Sequence, residues 1–363
     1  MISTKITIIG GGLSGLYAAY LLEQAGITDY VLLEARNRLG GRIYSNQGFD
    51  LGAAWIWPDI NPELMQLLEK LELAAFEQHE SGNILIERSL NSTPIRLPKQ
   101  FYATQSMRLV NGMDSLIQAL KQQIPTHKII TDQQVLNLTI QASGLVKVTT
   151  NSQTRKVSEY QAQHILLALP PRLATHQLKF NPPLNPQVMA QWANTATWMA
   201  PHAKYLAVYP HAFWRQHGLS GEASSHVGPM GEIHDASMPD GQAALFGFFA
   251  VPYEVRQQLS EQELMVHCRA QLVRLFGELA AAPTREMIKD WSADPHTATK
   301  SDWQQFAMAH SPAPPISSKN DAWENKLVGI GTEWSQESSG YLAGCIDAAS
   351  IGVKLVMSSL NLE

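Results

Sequence analysis

The chain is short of cysteine, of charge and of any uninterrupted apolar run. Cys268 and Cys345 are its only cysteines in 363 residues, which excludes a disulfide framework and makes a reducing compartment, the cytoplasm, the expected location. Charged residues are 16 % of the chain and sum to a formal −5. With that net charge, neither nucleic acid nor an anionic membrane is an expected partner. The mostly apolar residues 6–22 are interrupted by glycine and lack both a basic flank and a cleavage site, and no hydrophobic tail precedes Glu363. No targeting segment or membrane anchor is expected. Histidines cluster at His202, His211, His217, His226 and His234, yet none stands four residues from another or in an HxH clip, so no metal site is expected. No paired-carboxylate or Ser–His–Asp set can be argued. Gly12-Leu13-Ser14-Gly15-Leu16 is not a nucleophile elbow, because its fifth position is leucine.

What is present begins at the front of the chain. The β-branched run Lys5-Ile6-Thr7-Ile8-Ile9 meets Gly10-Gly11-Gly12-Leu13-Ser14-Gly15, and residues with helical spacing follow (Leu16, Ala19, Tyr20, Ala25). After Gly26 a second buried strand, Tyr30-Val31-Leu32-Leu33, delivers Glu34, 19 residues beyond Gly15. Strand, glycine turn, helix, strand and acid in that order predict a dinucleotide-binding unit. Gly10 allows the tight turn, Gly12 lets the backbone approach a pyrophosphate, and Gly15 lets the helix sit on the strand. The free N–H groups of the helix N-terminus, with Ser14 beside them, face the phosphates. Glu34 accepts from ribose hydroxyls and repels a 2′-phosphate, which favours FAD or NAD over NADP.

Ala35-Arg36-Asn37-Arg38-Leu39-Gly40-Gly41-Arg42 then offers a basic, glycine-containing loop beside that site, either closing over phosphates or simply solvated. Phe49-Asp50-Leu51-Gly52-Ala53-Ala54-Trp55 sets small residues among aromatics, as a backbone approaching a flat ligand requires. A helix is predicted over residues 62–73, paired strands over 135–140 and 145–150, a buried strand over 165–169, and a proline-rich linker over 180–186. Strands at 204–209 and 243–250 and a helix at 262–279 form a second region. A strand at 327–330 leads through Gly331-Thr332-Glu333 to a closing helix opened by Gly340-Tyr341, with Leu342, Ile346, Ala349, Val353 and Val356 in helical period.

These stretches, in this order, resemble the flavin-containing monoamine oxidase family. The likeness is carried by Gly10, Gly12, Gly15, Glu34, Gly40, Gly41 and Arg42 with Asp50-Leu51-Gly52-Ala53-Ala54-Trp55, by Lys204 ahead of Phe213-Trp214-Arg215 and Ser220-Gly221, and by Trp291-Ser292-Ala293-Asp294-Pro295 with Gly331-Thr332-Glu333 and Gly340-Tyr341-Leu342. The resemblance implies an α/β fold: a Rossmann-like FAD-binding domain of the glutathione-reductase and amine-oxidase type, with an inserted α+β substrate domain. Residues 1–78, 108–172 and 288–363 would form the first, and 79–107 with 173–287 the second. It implies FAD held by Gly12, Leu13, Ser14, Gly15, Glu34, Ala35, Arg36, Gly41 and Arg42, with Val135 at the adenine. Gly52, Ala53, Ala54, Trp55 and Trp291 would lie at the ring, and Thr332, Glu333, Tyr341 and Leu342 at the ribityl chain and N1 edge.

The implied reaction is oxidation of an amine. Hydride passes from its α-carbon to flavin N5, Lys204 holds a water there, and dioxygen reoxidises the flavin to give hydrogen peroxide. Desaturase-type C–C or C–N oxidation, or a non-catalytic or partner-dependent flavoprotein, are the alternatives on the same fold. Family members that attach FAD covalently use a cysteine shortly after the tryptophan matched by Trp291; residues 294–303 contain none, so non-covalent FAD is expected. Of the two rings that sandwich the substrate nitrogen, Tyr341 matches one. The counterpart of the other is Ser301, with Trp303 the nearest aromatic. About fifty residues separate Trp57 from Leu109, where the family carries a longer helical insertion. A shallower cavity, or one closed by a homo-oligomer or a partner protein, is the expectation.

Overall fold

A computed structural model describes residues 2–98, 105–239, 241–303, 312–319 and 321–361. Strand β1 (Ile2–Ile9) lies between two parallel neighbours. On one side is β2 (Tyr30–Leu33), followed by Ile129–Ile130. On the other is the long strand Val157–Leu167, whose end pairs with Leu327–Gly329 through Leu166 and Val328. The first half of that long strand instead pairs antiparallel with Val146–Asn151, which continues to Gln134–Ile140 and Lys179–Asn181. All four residues of β2 are buried, as expected of a parallel strand covered on both faces. Helix α1 (Leu13–Gln24) and the closing helix Leu342–Ser359 share one core, with Leu16 and Ala19 in the same cluster as Ile346, Ala349 and Val353.

A second sheet runs in the order Arg285–Asp290, Ala203–Tyr209, Ala243–Phe249, Met230–Asp235, Leu219–Ser225, Asn83–Glu87, Ile95–Pro98. The strand alternation decides what each face meets. Tyr205, Ala207 and Tyr209 join the core under helix Glu261–Phe276, with Cys268, Leu272 and Phe276. Leu206 and Val208 point the other way, to Phe49 and Leu51. Lys204 shares their parity and so faces the first sheet's unit. Ser260 and Glu263 start the covering helix with a reciprocal capping box.

Several sequence expectations shift at their edges. Arg285–Asp290 pairs within the second sheet, so a domain boundary at 288 falls inside a strand. Lys179–Asn181 joins the first sheet, so the proline-rich linker begins on a strand and a boundary at 173 falls before its partner. The helix expected over 62–73 is Pro62–Lys70. Among the described residues, Leu342–Ser359 alone has the length and hydropathy of a membrane span, and its Ile346, Ala349, Val353 and Val356 are buried in the protein core.

Candidate active site

The parallel strands end together. Gly10 follows β1, Glu34 follows β2, and Ala168 follows Leu167; all three line one cavity of about 570 Å³ at the carboxyl edge of the sheet, where open α/β sheets bind ligands. Two helices aim their N-termini into it. Leu13 and Ser14 of α1 and Leu342 of the closing helix line the cavity. Neither helix has a capping side chain or an acid in its first turn, so their orphan N–H groups are left for a ligand. Gly15 is required by packing rather than by the ligand. A Cβ there would lie 1.9 Å from the Gly10 carbonyl oxygen, and no side chain fits between α1 and the turn.

Glu34 is 3 % exposed and accepts from the Gly11 N–H (2.6 Å) and the Arg36 N–H (2.8 Å), which fixes its carboxylate at the cavity edge. The arginines of the following loop are engaged. Arg36 donates to Asp294 at 2.7 Å and to Thr297 at 3.0 Å. Burial alone would raise the Asp294 carboxyl, but Arg36 and Lys289 hold it below its ordinary value. Arg42 makes a bidentate pair with Glu333, 1 % exposed, and donates to the Trp198 carbonyl at 2.9 Å. Arg38 donates to the carbonyls of Leu39, Gly41 and Ile43. It ties the loop to itself and does not line the cavity.

The opposite wall comes from residues 52–57 and the second sheet. Gly52, Ala53, Ala54, Trp55 and Trp57 line it. Gly52 sits so close to Arg42 that a Cβ would fall 2.0 Å from its carbonyl oxygen, and the fully buried Trp291 holds this segment by donating to the Leu51 carbonyl at 3.0 Å. Lys204 is fully buried, and its Nζ donates to the carbonyls of Gly52 (2.9 Å) and Asp50 (3.2 Å), 4.1 Å from the Phe246 ring centre. Burial pushes its ammonium down to about 7, against the pull of the Asp50 carboxylate. The amine therefore changes charge near neutral pH.

Of the other residues singled out in the sequence, Gly12, Arg36, Gly41, Thr332 and Tyr341 line the cavity, while Gly15, Ala35, Val135, Trp291 and Glu333 do not. Val135 is buried within its sheet and pairs with Thr150. Trp303 lies elsewhere. Its indole donates to the Ser292 carbonyl at 3.0 Å and its ring rests on Tyr253 at 4.7 Å, so it is not a wall of this cavity. The rings near Tyr341 are Trp57, edge-on at 5.8 Å, and Trp198, stacked at 6.5 Å.

Trp198, Glu232 and Phe248, to which the sequence assigns no site role, and His202, weighed there only as a metal ligand, all line the cavity. Only the register could have found Glu232 and Phe248. Lys204 pairs with Phe248, and Phe248 with Glu232, so all three stand in one row on one sheet face. Burial, then the Arg256 charge, lowers the His202 imidazole below its ordinary value. Cys345, on the closing helix, also lines the cavity, and burial keeps its thiol protonated.

A cavity with nucleotide-type recognition at Glu34, two helix N-termini along its length and an apolar, aromatic far end fits FAD. Gly12, Ser14, Glu34 and Arg42 would hold the nucleotide part, and Gly52–Trp55, Thr332 and Leu342 the ring and its side chain. Comparison with known proteins agrees. A sequence profile of NAD(P)-binding Rossmann-like domains matches residues 8–71. Human flavin-containing amine oxidase B is 21 % identical, with 98 % of this chain and 86 % of that protein aligned, and a probable flavin-containing monoamine oxidase A of Dictyostelium discoideum is 21 % identical over 80 % of this chain and 84 % of its own. Putrescine oxidase in complex with putrescine superposes with a TM-score of 0.80 at 17 % identity over 98 % and 99 % of the two chains, and cyclohexylamine oxidase from Brevibacterium oxydans with 0.80 at 19 % over 99 % of both. The profile of the flavin-containing amine oxidoreductases matches residues 80–356, and the chain belongs to that family of FAD-dependent oxidoreductases.

Proposed function

We propose that the protein is an amine oxidase that uses dioxygen as its electron acceptor and holds FAD non-covalently. The observation that supports this most is the convergence on one cavity of two uncapped helix N-termini, from opposite ends of the chain, with the buried Lys204 on the facing wall. Bound flavin would supply the two-electron acceptor, taking hydride from the amine's α-carbon at N5 and giving hydrogen peroxide with dioxygen. The chain's own residues supply position and charge. The N-terminus of Leu342–Ser359 favours negative charge on the ring edge it faces. As an ammonium, Lys204 has two donors on the Asp50 and Gly52 carbonyls, which leaves its third for a water in the cavity. The aromatic wall keeps bulk water from the reacting carbon. No protein base is assigned, because a neutral amine needs none to give up hydride.

The test is a visible spectrum of the purified protein followed by anaerobic addition of an amine panel. Yellow colour that bleaches with an amine, returns in air with peroxide, and leaves with the supernatant after denaturation is the expected result. Bleaching by an unsaturated or ring substrate but by no amine would move the assignment to a desaturase on the same fold.

A further inference from the structure

Asp50 is a buried carboxylate that uses only one of its oxygens. It is 2 % exposed. Oδ1 accepts from the Ser45 hydroxyl at 2.5 Å and from the Met113 N–H at 2.7 Å, and the Ser45 oxygen accepts from the Asp114 N–H at 2.9 Å. Met113 and Asp114 open the nine-residue helix Asp114–Gln122, so the positive end of that helix lies at this carboxylate. Oδ2 has no hydrogen-bond partner among the described residues. An asparagine would make both of these bonds through its own Oδ1 and would spare the chain a buried charge, which is costly to desolvate. The bonds therefore do not account for a carboxylate at this position. Its charge does.

Two buried cations feel that charge. Lys204 donates to the Asp50 and Gly52 carbonyls. Arg108, on the strand Met107–Leu109 and 2 % exposed, donates to the carbonyls of Ser237 (3.0 Å) and Ala236 (3.1 Å), and its Nε has no partner among the described residues. Among the described residues neither cation touches a carboxylate. Burial lowers both, and the Asp50 charge is what opposes this most in each. Burial in turn raises the Asp50 carboxyl, against the Ser45 hydroxyl, the Arg108 charge and the Met113 N–H. The other charged groups around Lys204 are engaged or exposed. Lys289, its cross-strand partner, binds Asp294 at 3.1 Å above the Trp291 ring. Asp235 accepts from Trp214, Arg215 and the Ser237 N–H, Glu232 is in solvent, and the His202 imidazole is lowered by burial. The Phe246 and Phe248 rings, 4.1 and 5.0 Å from Nζ, cover the remaining side.

From this arrangement we infer that Asp50 is a positioning residue for the reaction with dioxygen: acting through space, its carboxylate keeps Lys204 an ammonium with one N–H left for the cavity, and Arg108 acts against it. The inference rests on the oxidase reading above. What the cavity meets depends on that one proton. An ammonium has three N–H groups, and two lie on the Asp50 and Gly52 carbonyls. A neutral amine has two, both spent on the same carbonyls, and it turns a lone pair to the cavity. A carboxylate beside the lysine favours the first state, and a second cation favours the other. Held between Asp50 and Arg108, Lys204 changes state near neutral pH, where an unopposed burial would leave it neutral.

The test uses Asp50→Asn, which keeps the acceptor for Ser45 and Met113 and removes only the charge, and Arg108→Gln, which removes the opposing one. Carbon-13 lysine NMR of the purified holoenzyme titrates the Lys204 side chain directly, its signal assigned by its absence in Lys204→Met. Mixing the pre-reduced enzyme with aerated buffer gives the reoxidation rate against pH. Asp50→Asn is expected to lower the Lys204 midpoint by about one unit or more and to slow reoxidation at pH 7 roughly fivefold, with the loss made good in acid. Arg108→Gln should raise the midpoint by a similar amount. In a Lys204→Met background Asp50→Asn should leave reoxidation unchanged. An unmoved midpoint in Asp50→Asn, shifts of the same sign in both variants, or a loss that persists in Lys204→Met would overturn the inference. If Asp50→Asn does not fold, the absence of an upward shift in Arg108→Gln would overturn it alone. A wild-type enzyme that dioxygen does not reoxidise would instead remove the oxidase reading, while the NMR midpoints still decide whether Asp50 sets the charge on Lys204.

Discussion

The two ends of the cavity are built on opposite principles. At the Glu34 end the charged side chains are already held in place: the carboxylate accepts from Gly11 and Arg36, and Arg36 from its side is tied to Asp294 and Thr297. At the Tyr341 end the walls are Trp55, Trp57, Trp198, Phe248 and a tyrosine that is 38 % exposed. One end offers a nucleotide preorganised backbone and charge. The other presents an apolar, aromatic surface. Tight local rules govern the first, and long-range assembly the second.

The sharpest break at the fixed end is Gly15→Val. With a Cβ 1.9 Å from the Gly10 oxygen, α1 must leave its strand, and the N–H groups it offers leave with it. The variant should purify without flavin, a complete loss read from the absorbance near the flavin maxima. Glu34→Ala keeps the backbone path but strands the Gly11 and Arg36 N–H donors and removes the acceptor for ribose. Charge-assisted bonds of this kind are worth about 1.5–3 kcal/mol, so flavin affinity measured by titration of the apoprotein should fall by roughly 10- to 100-fold. A loss under twofold would mean the nucleotide does not reach Glu34.

The same contrast explains what was legible beforehand. Gly10 to Glu34 could be read from the sequence because the chemistry of that unit lies in one contiguous strand–turn–helix–strand segment, where residue type follows from local geometry. Lys204 and Tyr341 were found through resemblance, since a lone lysine or tyrosine carries no such local signature. Trp198 and Glu232 were missed for a different reason. Their positions depend on the pairing register of the second sheet and on a left-handed turn at Met199, neither of which residue type announces. Trp303 is the aromatic nearest Ser301 in sequence, but packing on Tyr253 and a bond to the Ser292 carbonyl hold it away from the cavity.

At the aromatic end the expected effects are smaller and depend on pH. Burial lowers Lys204 to about 7, so the side chain is cationic on the acid side and neutral above. In the proposed oxidase reaction a cation at this position stabilises the negative charge that develops on dioxygen. Reoxidation by dioxygen should therefore be faster below pH 7 and fall to a lower plateau above it. Lys204→Met should be flat with pH and about tenfold or more slower at pH 6, measured by mixing pre-reduced enzyme with aerated buffer. A midpoint near 7 that survives in Lys204→Met would assign the titration to another group.

The smallest expected effect concerns how substrate arrives. Glu232 lies in the row with Lys204 and Phe248, its side chain 70 % exposed, and its contact with His234, at 3.8 Å, keeps the carboxyl below its ordinary value. It is ionised at neutral pH, and the lowered His202 imidazole beside it does not cancel that charge. An exposed carboxylate at a cavity wall concentrates ammonium ions, a weak attraction that salt screens over roughly 10 Å at 0.1 M. Glu232→Gln should raise KM for simple amines by about two- to threefold at low ionic strength and leave kcat unchanged. The difference from wild type should vanish as salt is raised. A change in kcat instead would put this carboxylate at the reacting carbon, and the division between a fixed nucleotide end and an aromatic end would then have to be redrawn with a charged catalytic group in the aromatic half.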